Sequence, residues 1–156
     1  MAYRGILPAA YLDGPIDDER RRHWRATLAA KRPDDIVLII EDQANSLGFI
    51  AVWRVGDPGF EAYIDNLHVR PDLRGNGLGR RLLAAAVARL RAIGCSSVYL
   101  WLFEKNAAAR RFYETLGGCV EDRSVIDFAG ARISQIRIVW RDLVALLDAC
   151  ERARES

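Results

Sequence analysis

The sequence predicts an α/β (α+β) fold: a mixed, mostly antiparallel sheet flanked by helices. Three observations carry this. Tyr63 to Ile93 reads as a strand, a glycine-rich turn and a long helix. A second strand, Ser96 to Phe103, follows it, and strand–helix–strand implies a parallel crossover pair. The segments on either side of this unit read as hairpins, whose strands are antiparallel.

Taken in order, Tyr3 to Gly14 reads as a loop punctuated by Pro8 and Gly14. Pro15 to Lys31 reads as a helix, with Ile16, Arg20, Trp24, Thr27 and Leu28 roughly along one side and Pro33 to end it. Ile36 to Glu41 and Leu47 to Val55 read as strands, joined through a DQANS turn. Gly56 to Gly59 form the next turn, and Phe60 to Val69 is the third antiparallel strand, ended near Pro71. Trp53 on the second strand reads as a core or sheet-face residue.

Beyond the glycines, Leu78, Leu82, Leu83, Ala86, Leu90 and Ile93 recur at helical spacing, with Gly94 placed to end the helix. After the Ser96–Phe103 strand, Asn106 can cap a helix over Ala107 to Leu116, stopped by Gly117 and Gly118. Its periodicity puts Ala109, Phe112 and Leu116 on the core face and turns Tyr113 about 100° away. Cys119 to Phe128 and Arg132 to Trp140 read as strands about an Ala129-Gly130-Ala131 turn. Asp142 to Arg154 closes the chain as a helix with Leu143, Leu146, Leu147 and Cys150 as its stripe.

The chain has 156 residues, enough for one domain over 1–156 with an ordinary core. A net charge of +2 gives no argument for nucleic acid, and no apolar run approaches the roughly 18 residues of a membrane span. Cys95, Cys119 and Cys150 are odd in number and lack metal-site spacing, so reduced thiols in a cytoplasm, with no metal, are expected.

The chemistry concentrates at Arg74, Gly75, Asn76, Gly77, Leu78, Gly79 and Arg80. A helix starting in such a turn offers unpaired N–H groups and a positive dipole end, and Arg74, Arg80 and Arg81 add charge. This suggests a phosphate or pyrophosphate cradle; the plainer reading is a turn whose glycines serve geometry alone. A Walker loop fails, because Gly79 is followed by Arg80 and Arg81. A dinucleotide fingerprint would need its third glycine where Arg80 stands, although Glu104 could sit where a ribose-binding acid belongs.

The third candidate is R-x-x-G-x-G, here Arg74, Gly77 and Gly79 after Leu67-His68-Val69. It resembles the coenzyme A signature of the GNAT superfamily of N-acetyltransferases. Asn106, Ala109, Phe112, Tyr113, Leu116, Gly117 and Gly118 resemble that family's second motif, and the likeness covers roughly Asp35 to Leu143. It implies the GNAT fold and acetyl-coenzyme A (acetyl-CoA) as cosubstrate. Leu67, His68, Val69, Arg74, Gly75, Asn76, Gly77, Leu78, Gly79, Arg80, Asn106 and Tyr113 would bind it, the turn amides holding pyrophosphate and the splayed strand the pantetheine arm. On this likeness a strand and helix that the family places before the Pro15 segment are expected to be missing, and either a homodimer or higher oligomer covering the exposed face, or reduced stability, would follow.

The implied reaction moves an acetyl group to a primary amine by direct attack, with no protein nucleophile. The acceptor would be a small molecule or a peptide. An alkylamine with a pKa of about 10 must lose a proton, and the leaving thiolate benefits from gaining one. Tyr113 is the candidate acid, and a backbone N–H at Val69 or Leu67 would polarise the carbonyl. Glu61, Asp65, His68 and Glu104 are candidate bases, and Asp65 is the choice. It shares a strand face with Tyr63 and Leu67 unless a bulge intervenes. The plainer reading of Asp65 is a hydrogen-bonded strand residue. A GNAT-fold module that binds acyl-CoA without turnover is the alternative function.

Overall fold

The computed structural model describes residues 33–43, 45–55 and 59–155. The helix expected over 15–31, the loop before it and the elements expected to be missing there lie outside the described residues. The elements run β1 (Ile36–Asp42), β2 (Asn45–Arg54), β3 (Ala62–Val69), one 3-10 turn (Pro71–Leu73), α1 (Leu78–Ala92), β4 (Val98–Phe103), α2 (Ala107–Thr115), β5 (Cys119–Phe128), β6 (Ala131–Trp140) and α3 (Leu143–Glu155). The sheet order is β1-β2-β3-β4-β6-β5. Among the described residues only β3 and β4 pair in parallel, as the crossover around α1 requires.

The main core lies on one face of this sheet. Leu82, Leu83, Ala86, Val87 and Leu90 of α1, with Leu143, Leu146 and Cys150 of α3, pack on Ile50, Val52, Ile64, Leu100, Ile136 and Ile138. Burying each of the larger side chains contributes roughly 1.5–3 kcal/mol. Ile93 does not extend the stripe as expected: it is exposed, because α1 ends at Ala92 and the chain turns away at Gly94. On the opposite face Phe60, Tyr99 and Val139 form a second cluster with Val55, Tyr63 and Trp101 against it.

Two strand starts fall later than expected, for one shared reason. The Glu61 carboxylate accepts from Ser96 N–H at 3.0 Å and Ser96 Oγ at 2.7 Å, while Glu61 N–H donates to Ser97 Oγ at 3.2 Å. These bonds hold Phe60–Glu61 and Ser96–Ser97 outside the ladder, so β3 opens at Ala62 and β4 at Val98. The β5–β6 turn is tighter than expected. Ala129 and Gly130 both have positive φ, 52° and 81°, as a two-residue hairpin turn demands, and Ala131 already belongs to β6. β1 likewise runs one residue further than expected, to Asp42, and β2 opens earlier, at Asn45. No helix among the described residues is long and apolar enough to cross a membrane.

Candidate active site

Strand β3 has an extra residue. Ala51 pairs with Asn66 and Val52 with Ile64, so Asp65 bulges between them. The bulge shifts the alternation by one. Ala62 and Ile64 face the main core before it, and Leu67 and Val69 pack against that core after it. The expected common face of Tyr63, Asp65 and Leu67 is therefore corrected: Tyr63 belongs to the opposite cluster from Leu67.

Next to the bulge the sheet opens. Tyr63 pairs with Tyr99, and no further rung joins β3 to β4 among the described residues. A cavity of about 530 Å³ occupies the gap. Ile64, Asp65, Asn66, Leu67, His68 and Val69 form one wall, and Leu100 to Phe103 the facing wall. The glycine turn closes one end through Arg74, Gly75, Gly77, Leu78, Gly79 and Arg80. Asn106, Ala109, Phe112 and Tyr113 close the side.

The turn has the local features that an anion cradle needs. Gly77 caps α1 with φ 79°, a left-handed value that suits glycine. No side chain caps the helix and its first turn holds no acid, so its leading N–H groups keep their donors for a ligand. Arg80 also lines the cavity, and its buried Nε has no hydrogen-bond partner among the described residues. A Cβ on Gly79 would lie 3.5 Å from Phe112 and 3.9 Å from Val69, in the space between turn, strand and α2. An uncapped helix end, an orphaned guanidinium donor and a trench kept open by glycine fit a pyrophosphate with a slender extended arm.

Every residue expected to bind the cosubstrate, with Asp65 and Tyr113, lines this cavity except Asn76, which instead ties the turn by donating from Nδ2 to Leu73 C=O at 3.0 Å; the candidate bases Glu61 and Glu104 lie outside its wall. Asn106 combines two roles. Its Oδ1 accepts from Ala109 N–H at 3.2 Å, capping α2, while the residue also lines the cavity. Tyr113 is more buried than its helical position suggested, at 8% exposure. Its ring is 5.0 Å from Phe112 and 5.8 Å from Trp140, both edge-on, which fixes where its hydroxyl can reach. Phe112 is only half-buried and shares the wall. Glu104 stands apart, ion-paired with Arg123 on the surface and outside the cavity wall.

Sequence reasoning missed Trp101, Phe103 and Gln135, which belong to the wall. Alternation along the last hairpin put Gln135 on a definite face, but no local motif marks which strands splay. The thiols play no part here. Cys150 is fully buried and desolvation pushes it up to about 11, so it stays protonated near neutral pH. No cluster of His, Cys, Asp and Glu that could hold a metal occurs among the described residues.

Comparison with known proteins agrees with this geometry. The profile of the "Acetyltransferase (GNAT) family" matches residues 3–117. The chain is 37% identical over 84 residues to mycothiol acetyltransferase of Saccharopolyspora erythraea. That match covers 54% of this chain but only 27% of that protein. It is 26% identical over 147 residues to the uncharacterized N-acetyltransferase YuaI of Bacillus subtilis, covering 92% of this chain and 82% of that one. The fold matches a putative streptothricin acetyltransferase from Bacillus anthracis, solved in complex with acetyl coenzyme A. There the TM-score is 0.63 and the identity 23%, over 72% of this chain and 65% of that one.

Proposed function

Because this chain belongs to the acetyltransferase (GNAT) family, we propose that it transfers the acetyl group of acetyl-CoA to a primary amine of a small molecule or peptide. Residues 1–156 would act as one catalytic domain. The observation that carries this is a continuous cavity joining the uncapped, arginine-lined start of α1 to the gap between β3 and β4.

In this reading the leading N–H groups of α1, with Arg74 and Arg80, hold the pyrophosphate. The edge of β3 beyond Tyr63 guides the pantetheine arm with backbone groups, and Gly79 leaves room for it. The thioester then lies in the gap, where an N–H of Leu67 or Val69 polarises its carbonyl. Asp65, lifted out of the ladder by the bulge, takes a proton from the acceptor ammonium. The free amine attacks the carbonyl carbon, and the C–S bond breaks as the tetrahedral centre collapses. Tyr113 gives its phenolic proton to the leaving sulfur. Rate then comes from positioning and proton transfer.

Turnover is tested by following thiol release from acetyl-CoA with a panel of amines. Amine-dependent release is expected, and acetyl-CoA binding without release from any amine would reduce the chain to a binding module. The reading extends to a homodimer in the cytoplasm. Exposed Ile39 and Val125, on the two outer strands of the sheet among the described residues, support a partner surface. Light scattering that shows a monomer at high concentration would remove the dimer.

A further inference from the structure

The sheet face opposite the main core carries chemistry that acetyl transfer alone does not use. On β4, Tyr99 and Trp101 point to this face, and Val139 of β6 joins them. Arg137 pairs across the ladder with Trp101, and Gln135 with Phe103. Trp101, Phe103 and Gln135 also line the cavity, so the gap between β3 and β4 reaches this side of the sheet. Arg137 follows Gln135 on the same side of β6, two residues or roughly 6.8 Å along the strand. It is outside the cavity wall but stacked on Trp101, which is part of it.

The Arg137 guanidinium carbon lies 5.2 Å from the Phe60 ring centre, 5.5 Å from Tyr99 and 5.7 Å from Trp101. The rings hold the cation but take none of its in-plane donors well. Asp122 pairs with one terminal nitrogen at 3.3 Å, and its side chain is 52% exposed. The buried Nε has no hydrogen-bond partner among the described residues. Aromatic packing has thus fixed a guanidinium in place with Nε closed off, so a ligand would meet its terminal nitrogens, one of which Asp122 already shares. A carboxylate matches that fork. Asp122 already offsets part of the charge, which favours a singly charged group over a phosphate dianion. Beside it, Gln135 Nε2 donates to Ser124 Oγ at 3.0 Å, which leaves its carbonyl oxygen to accept from an amine N–H.

We propose that Arg137 is a specificity-determining residue that receives a carboxylate of the acceptor, with Gln135 orienting the amine. The acceptor class is then an amine that also bears a carboxylate, such as an amino acid, an assignment that rests on acetyl transfer at this site. The test compares thiol release with a panel of free L-amino acids and with their carboxamides, alongside calorimetric binding of acetyl-CoA. The parent chain should favour the acids by roughly ten- to a hundredfold in kcat/KM. Arg137→Gln should erase that preference by raising KM for the acids, with kcat for the carboxamides and acetyl-CoA affinity held. Arg137→Lys, which keeps a cation over the rings, should keep the melting temperature and lose most of the preference. A purely structural role would instead lower both series together. With acetyl-CoA bound normally, equal use of acids and amides, use of amides alone or use of neither overturns the assignment. Failure of acetyl-CoA to bind would instead overturn the acetyltransferase reading beneath it.

Discussion

Tyr63 and Tyr99 form the rung that joins β3 to β4, with ring centres 5.1 Å apart. Two residues later Asp65 bulges from the β2 pairing. The strands are fastened at one point and released just beyond it, which is how a continuous sheet comes to contain a cavity. The Tyr63–Tyr99 contact is thus the hinge point between fold and site. Its rings pack with Phe60 and Val139 on the face away from the main core.

Tyr113→Phe removes a hydroxyl and keeps the ring contacts with Phe112 and Trp140. Turnover should fall roughly a hundredfold, in the range of a lost general acid, while the Kd for acetyl-CoA stays within about twofold. Steady-state kinetics and calorimetry together check this. Unchanged turnover would remove Tyr113 from the chemistry.

Asp65→Asn tests the base. The parent should lose kcat/KM as the solution becomes acidic, because a protonated carboxyl cannot accept the amine's proton. The variant should be slower at neutral pH and lack that acidic limb. A pH–rate profile that superimposes on the parent's would leave proton removal to solvent or another group.

The two glycines of the cradle should fail differently. Gly77→Ala places a Cβ at φ 79° and should destabilise the chain by about 1–2 kcal/mol. Gly79→Val meets only ordinary contact at its Cβ, but its methyl groups extend into the trench beside Phe112 and Val69. It should weaken acetyl-CoA binding at least tenfold, roughly 1.4 kcal/mol, with a smaller effect on melting temperature. Thermal denaturation and calorimetry separate the two.

The Glu61 clamp gives a pH dependence. Bonds from Ser96 hold the Glu61 carboxyl below the usual carboxylate range. Its contribution to stability is therefore present above the ordinary carboxylate pKa and is lost as pH falls through the lowered folded-state value. Glu61→Gln should lower the melting temperature by roughly 1–4 °C at pH 7, and the difference should shrink as the pH is taken down towards 3. A difference constant across that range would assign the clamp to neutral hydrogen bonding.

Much of this could be read from residue order. Among the described residues hydrophobic period placed the strands and helices, and the glycine turn, the strand before it, Asn106 and Tyr113 named about half of the cavity wall, because those features depend on local backbone chemistry. What escaped were consequences of distant pairing. Asp65 bulges because β2 and β3 slip by one, which no residue near position 65 announces. Tyr113 is buried because Trp140, far along the chain, packs on it. Trp101 and Gln135 reach the cavity because β3 and β4 part above Tyr63. The late starts of β3 and β4 came from a carboxylate–serine clamp across 35 residues.

The most direct test of acetyl-CoA recognition is calorimetric titration of the purified chain with acetyl-CoA, with NADH as the control ligand. Saturable binding of acetyl-CoA with no heat from NADH is predicted, because the cradle and trench suit a pyrophosphate with a narrow arm and Glu104 is committed to Arg123 outside the cavity. Binding of NADH alone, or of neither ligand, would contradict it.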